Sequence, residues 1–115
     1  MSPDRVIKAL GALAQEHRLA VYRLLVQAGP AGLAAGALAE RVGVPASSMS
    51  FHLAQLAHAG LVGQQREGRS IVYSADYAAM GELMAYLTEN CCGGGVACAP
   101  ATACAPQTRD ERNVA

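Results

Sequence analysis

Between Asp4 and Ala14 the apolar residues Val6, Leu10 and Leu13 recur every three or four positions, the rhythm of a helix with one buried face. From Glu16 to Ala28 the rhythm returns in Val21, Leu24 and Leu25, and Leu19, Tyr22 and Val26 widen the stripe. That helix is expected to be buried around much of its circumference and to stop at Gly29 and Pro30. A third helix is predicted over Ala34–Val42, then a break at Gly43–Pro45, then a fourth helix over Ala46–Ala59 closed by Gly60. Here the period changes. LVGQQR (Leu61–Arg66) and SIVYSA (Ser70–Ala75) are short extended runs separated by Glu67, Gly68 and Arg69, the pattern of a β-hairpin with glycine at its turn. A fifth helix is predicted from a cap at Asp76 to near Asn90, with Met80, Leu83, Met84 and Leu87 on one stripe. Beyond Gly93 the chain turns to Gly, Ala, Pro and Thr and then QTRDERNVA, without periodicity, and is expected to be largely disordered. The predicted fold is mainly α with a small β-hairpin: four helices, the hairpin, and a last helix. It divides into a folded unit over residues 1–92 and a flexible cysteine-containing tail over residues 93–115.

Composition adds three constraints. A chain of 115 residues, 52% hydrophobic and rich in Ala and Leu, fits one small helical domain. Such folds often pair their apolar faces by dimerising. Nine basic and nine acidic residues cancel, so any polyanion must be met by local distribution of charge and not by net charge. The start, MSPDRVIKAL, has neither the apolar core nor the cleavage site of a secretion signal. No apolar run approaches the roughly 18 residues of a membrane span. A cytoplasmic protein is expected, and in a reducing compartment clustered cysteines point to metal binding or redox chemistry and not to a disulfide framework.

The order helix, tight break, helix, hairpin in LAERVGVPASSMSFHLAQLAHAGLV and its sequel is that of a winged helix-turn-helix. In such a unit the second helix enters the major groove and offers its N-terminal side chains to base edges. Here those would be Ser47, Ser48, Ser50, His52 and Gln55, with Met49, Leu53 and Leu56 on the inward face. Ser47 is equally suited to capping the helix, and Phe51 either packs inward or touches a thymine methyl. No acidic residue lies between Arg41 and Arg66, and Arg66 and Arg69 flank the hairpin turn where a wing meets phosphate or minor groove. Glu67 weakens the positive field there. Enzyme readings find no support: His17, His52 and His58 are scattered, and no serine–histidine–acid set is present. The GGG run follows a helix instead of opening one, so it does not cradle phosphate.

LAQEHRLAVYRLL, the helix-turn-helix segment just quoted, REGRSIVYSAD and ENCC together resemble the ArsR/SmtB family of winged-helix repressors, over most of Leu13–Cys92. The resemblance implies a homodimer built from the first and last helices. It also implies binding of double-stranded promoter DNA and release when an inducer binds. The family places its sensor sites variously. The segment LAAGALAERVG has no cysteine pair, which removes one arsenic site. The last helix, DYAAMGELMAYLTEN, keeps Asp76 and Glu89 but no histidine, which disfavours the zinc site. No early cysteine exists for the cadmium and lead type. NCCGGGVAC resembles the relatives that carry a vicinal pair after the last helix and a third cysteine beyond, whose implied inducer is arsenite, As(III), with antimonite, Sb(III), as second candidate.

The thiols suit that inducer. All four cysteines, Cys91, Cys92, Cys98 and Cys104, lie in the last quarter of the chain. Trivalent arsenic keeps a lone pair and favours three thiolates in a pyramid, and soft centres prefer sulfur. Cys91, Cys92 and Cys98 are assigned as ligands, with glycines at 93–95 letting the chain fold back; Cys104 is left out. Tetrahedral zinc usually grips cysteines two to four residues apart, which adjacent thiols match poorly. The alternative is a DNA-binding regulator that senses redox state, since exposed thiols oxidise readily, or another soft metal such as zinc or cadmium.

Overall fold

The computed structural model describes residues 1–94. Three helix starts are set by side chains that satisfy free backbone N–H groups. The Ser2 hydroxyl accepts from the Arg5 amide at 3.3 Å and opens α1 (Pro3–Leu13). The Gln15 side-chain carbonyl accepts from the Arg18 amide at 2.9 Å and opens α2 (Glu16–Ala28). The Asp76 carboxylate accepts from the Ala79 amide at 3.0 Å and opens α5 (Tyr77–Leu87), as its position in the sequence predicts. Between them come β1 (Leu33–Ala34), α3 (Ala35–Val42), α4 (Ala46–His58), β2 (Val62–Glu67) and β3 (Ser70–Ala75). A single 3-10 turn at Cys91–Gly94 follows α5. The result is a mainly helical α+β winged helix-turn-helix, in agreement with the predicted fold class.

The core lies where α2, α3 and α4 meet the base of the hairpin. Val21, Leu25, Leu38, Met49, Leu53, Leu56 and Leu61 are fully buried there. Each such side chain contributes about 1.5–3 kcal/mol by leaving water. The last helix is fastened at its start: the Tyr77 hydroxyl donates to the carbonyls of Leu25 and Val26 at 3.2 and 3.0 Å, and the Asp76 amide donates to the Leu61 carbonyl at 2.8 Å. Arg18 ties α2 back to α1, its Nε donating to the Ala12 carbonyl at 2.7 Å.

The sheet, α1 and the end of α5 each depart from the sequence-based expectation. The sheet has three strands in the order β1-β3-β2, all antiparallel, because the two-residue β1 pairs Leu33 with Tyr73 and Ala34 with Val72. Two residues carry no periodicity. The approach is close enough that Gly32, at φ 71°, has no room for a Cβ against the Tyr73 carbonyl. In α1, Val6 and Ala9 face the core, while Leu10 is 41% exposed and Ile7 68% exposed. The α5 helix ends at Leu87, three residues short of Asn90, where the Thr88 hydroxyl donates to the Met84 carbonyl at 2.8 Å. Among the described residues no helix is long and apolar enough to cross a membrane.

Candidate nucleic-acid interface and thiol site

The break between α3 and α4 is made by one left-handed residue. Gly43, at φ 82°, ends α3 by donating to the Ala39 carbonyl at 2.8 Å, and the Val44 amide reaches the same oxygen at 3.1 Å. Pro45 then stands in extended conformation as the N-cap of α4, and no side chain caps the helix. Ser47 therefore does not cap; it is the second residue of α4 and exposed. Met49, Leu53 and Leu56 are fully buried, as their spacing predicts. The opposite side carries Ser47, Ser50, Phe51, Ala54, Gln55 and His58, all exposed, with Ser48 half-buried at its margin. Phe51 is thus an outward residue, 58% exposed, and does not pack into the core.

His52 departs from the expectation. Its polarity suggests a base-facing residue, but it turns inward and is only 9% exposed. It stands on the same side of α4 as Met49 and Leu56, one turn from each. Its ring centroid is 5.7 Å from that of His17 on α2 and 6.0 Å from that of Phe51. Its buried Nδ1 finds no hydrogen-bond partner among the described residues. Burial lowers the His52 pKa first, and the charges of Arg18 and His17 lower it further. The native state therefore prefers a neutral imidazole, whereas the unfolded chain takes up that proton at about pH 6.5. Below that pH the unfolded state binds more protons, so stability is complete above it and declines as the pH falls toward the lowered native value. Denaturant midpoints measured from about pH 7.5 down to about pH 5 should decline more steeply for the wild type than for His52→Leu. Equal slopes would show that this imidazole is not what senses the acid.

The wing is formed by the outer part of the hairpin. The β2–β3 register pairs Val62 with Ala75 at the base and Glu67 with Ser70 at the tip. Every residue from Gly63 to Ile71 is exposed, so this arm stands in solvent instead of covering the core. Arg66 lies on β2 opposite Ile71, and Arg69 sits in the turn; both are exposed. A hollow of about 340 Å³ joins wing to helix, lined by Ser50 of α4, Arg69, Ile71 and Tyr73 of the hairpin, and the start of α3. The fold thus brings Ser50 and Arg69 to one concave surface, and Ser47, Phe51, Ala54 and Gln55 continue outward along α4.

The thiol end is built differently. Asn90 and Cys92 adopt positive φ values of 58° and 59°, and Gly93 one of 73°. A left-handed backbone is uncommon for a cysteine and reverses the chain sharply there. The Cys91 and Cys92 sulfurs end up 3.6 Å apart. Cys91 is half-buried with a free thiol, and Cys92 is exposed and disulfide-bonded. Cys98, the third predicted ligand, and Cys104 lie outside the described residues, as does nearly all of the predicted tail over 93–115. Among the described residues no three histidine, cysteine or acidic side chains cluster as a metal site. Asp76, which the sequence comparison considered for a zinc site on that helix, caps α5 with its carboxylate.

Comparison with known proteins agrees with this architecture. Residues 13–65 match a helix-turn-helix domain family. The chain is 32% identical over 91 residues to the HTH-type transcriptional regulator YgaV of Escherichia coli, covering 79% of this chain and 90% of that protein. Among solved structures, an ArsR-like transcriptional regulator from Rhodococcus superposes with a TM-score of 0.65 at 30% identity, covering 76% of this chain and 78% of that one. A homodimeric winged helix-turn-helix DNA-binding domain from Mycobacterium bovis does so with a TM-score of 0.60 at 30% identity, covering 76% and 81%. These relatives are regulators of transcription and not enzymes. With its helix-turn-helix, exposed wing and these similarities over three quarters of its length, the chain belongs to the ArsR-like family of winged-helix transcriptional regulators.

Proposed function

We propose that this regulator is a cytoplasmic homodimeric repressor of arsenic-resistance genes. It leaves promoter DNA when As(III), or Sb(III) in its place, binds Cys91, Cys92 and Cys98. The observation that carries the reading is the 3.6 Å separation of the Cys91 and Cys92 sulfurs just past α5. With a metal–sulfur bond of about 2.3 Å and a bond angle between right and tetrahedral, two sulfurs on one centre stand about 3.3–3.8 Å apart. Already 3.6 Å apart while Cys92 is in a disulfide, the two sulfurs are near enough to share a single thiophilic ion once Cys92 is reduced. Arsenous acid then condenses with three thiols and releases three waters, with no change of oxidation state.

The dimer follows from the surface of α5. Glu82 is the only charged residue in YAAMGELMAYL, yet only Ala79 and Leu83 are buried in the single chain. A helix apolar around most of its circumference belongs in an interior. Met84 and Leu87 are 40% and 53% exposed, and α1 adds Ile7 and Leu10. The Arg5–Glu82 ion pair at 3.9 Å joins α1 to α5. Both partners are at least half exposed, so the pair adds little stability. Two copies meeting through α1 and α5 set their recognition helices one DNA turn, about 34 Å, apart. Closing thiolates around arsenic at the end of α5 would act on that interface and shift the spacing. A coupling of about 1–3 kcal/mol requires the ion to bind the DNA-free arrangement more tightly than the DNA-bound one.

Two measurements on reduced protein test this. X-ray absorption at the arsenic edge should report three sulfurs and no oxygen around the bound ion, and the same arsenite titration should dissociate the protein–promoter complex. Oxygen ligands around arsenic, or a complex that survives saturation, would rule the reading out. The disulfide at Cys92 favours a second reading, in which oxidation of the thiols is itself the signal. In that case peroxide alone releases the promoter, and arsenite has no effect.

A further inference from the structure

The outward face of α4 has an unusual composition for a helix that enters DNA. The exposed residues Ser47, Phe51, Ala54 and His58 follow one another at intervals of four, three and four, so they form one stripe down its middle. Ser50 and Gln55 flank it. No lysine or arginine occurs from Val42 to Gln65, so α4 has no side chain able to make the paired hydrogen bonds that single out guanine. Its readers are hydroxyls, one amide, the His58 imidazole and an apolar patch. Phe51 is 58% exposed, while every other large apolar side chain of the helix is fully buried. Ala54 lies beside it, one turn on. The sole apolar group that B-DNA displays in the major groove is the thymine 5-methyl.

Resting on the reading of α4 as the recognition helix, we infer that Phe51 and Ala54 are specificity-determining residues that recognise thymine methyl groups. Gln55, which flanks the stripe one turn beyond Phe51, is suited to an adenine, so α4 around Phe51 selects A·T pairs. Charge complementarity supports the same occupant. No carboxylate lies between Arg41 and Arg66, and the exposed Arg66 and Arg69 on the wing are available to phosphates, which position the helix without reading sequence.

The test uses the full-length protein and a duplex selected by it from a random pool. Each thymine is replaced in turn by deoxyuridine, which removes the methyl and nothing else, and binding is followed by fluorescence anisotropy. At one or two positions per half-site the wild type should bind about fourfold more weakly, the worth of one buried methyl group. Phe51→Ala should bind the thymine and deoxyuridine duplexes alike at its position. Phe51→Leu, which stays apolar, should keep part of the preference. Both substitutions alter an exposed side chain, and unchanged thermal melting confirms that they fold. The inference is overturned if the wild type ignores deoxyuridine at every position, or if Phe51→Ala and Ala54→Ser both keep the full preference. Failure to enrich any duplex would overturn the DNA-binding reading itself, and this inference with it.

Discussion

Replacing both Met84 and Leu87 by glutamate should yield a folded monomer that binds its operator about 100-fold more weakly or worse, the factor lost when two linked contacts become one. The two side chains are exposed in the single chain and make no part of its buried core, so the fold should survive. In the proposed dimer each would be buried against the partner, and twofold symmetry would double every change. Losing the apolar burial costs about 1.5–3 kcal/mol per side chain, and four new carboxylates must be desolvated in the same patch. A monomer still presents α4 and the wing, but reads one half-site. Sedimentation velocity checks the assembly, circular dichroism the fold, and anisotropy the affinity. If the double variant remains a dimer, the interface lies elsewhere than α1 and α5.

The second large effect concerns the thiols. Cys91→Ser, Cys92→Ser and Cys98→Ser should each bind promoter DNA as the wild type does and remain bound when arsenite is added. Serine is nearly isosteric with cysteine but offers a hard oxygen where a soft centre wants sulfur. The arsenite concentration needed for release should rise by more than about 100-fold, which is the upper range for losing merely an outer-shell partner of a metal ligand. Cys104→Ser should respond as the wild type does. Release that survives in any of the first three would remove that cysteine from the site. Loss of release in Cys104→Ser would instead place it in the site.

These expectations rest on features of unequal legibility. The helices and the hairpin are written in local spacing, because the period of apolar residues and the caps act within one or two turns. Glu16–Ala28 and the Asp76 cap fall where the sequence places them. Strand β1 escapes such a reading because its stabilising partners, Val72 and Tyr73, are some forty positions away. On α4, Met49, Leu53 and Leu56 identify the inward face by spacing. Polarity alone would set His52 outward, yet the apolar face is wide enough to take it, against His17. The signal was present: His52 is three residues after Met49 and four before Leu56, the spacing of a shared face. Phe51, one residue away, lies beyond that face and is left in solvent. Similarly, Leu10 in α1 shares its period with Val6 but not its burial.

By itself, then, the sequence determined the order of elements, the helix-turn-helix with its wing, the inward triplet of α4 and the position of every thiol. These follow from rhythm, turn residues and residue type, which act over a few positions. Tertiary structure alone decided which side of each helix the neighbouring elements leave uncovered. It turned His52 in and Phe51 out, left Met84 and Leu87 exposed, placed Ser50 and Arg69 on one hollow, and drew two adjacent sulfurs to 3.6 Å through a left-handed Cys92. The reason is physical: a helix's own period says that it has an apolar face, but the width and direction of that face are set by what packs against it.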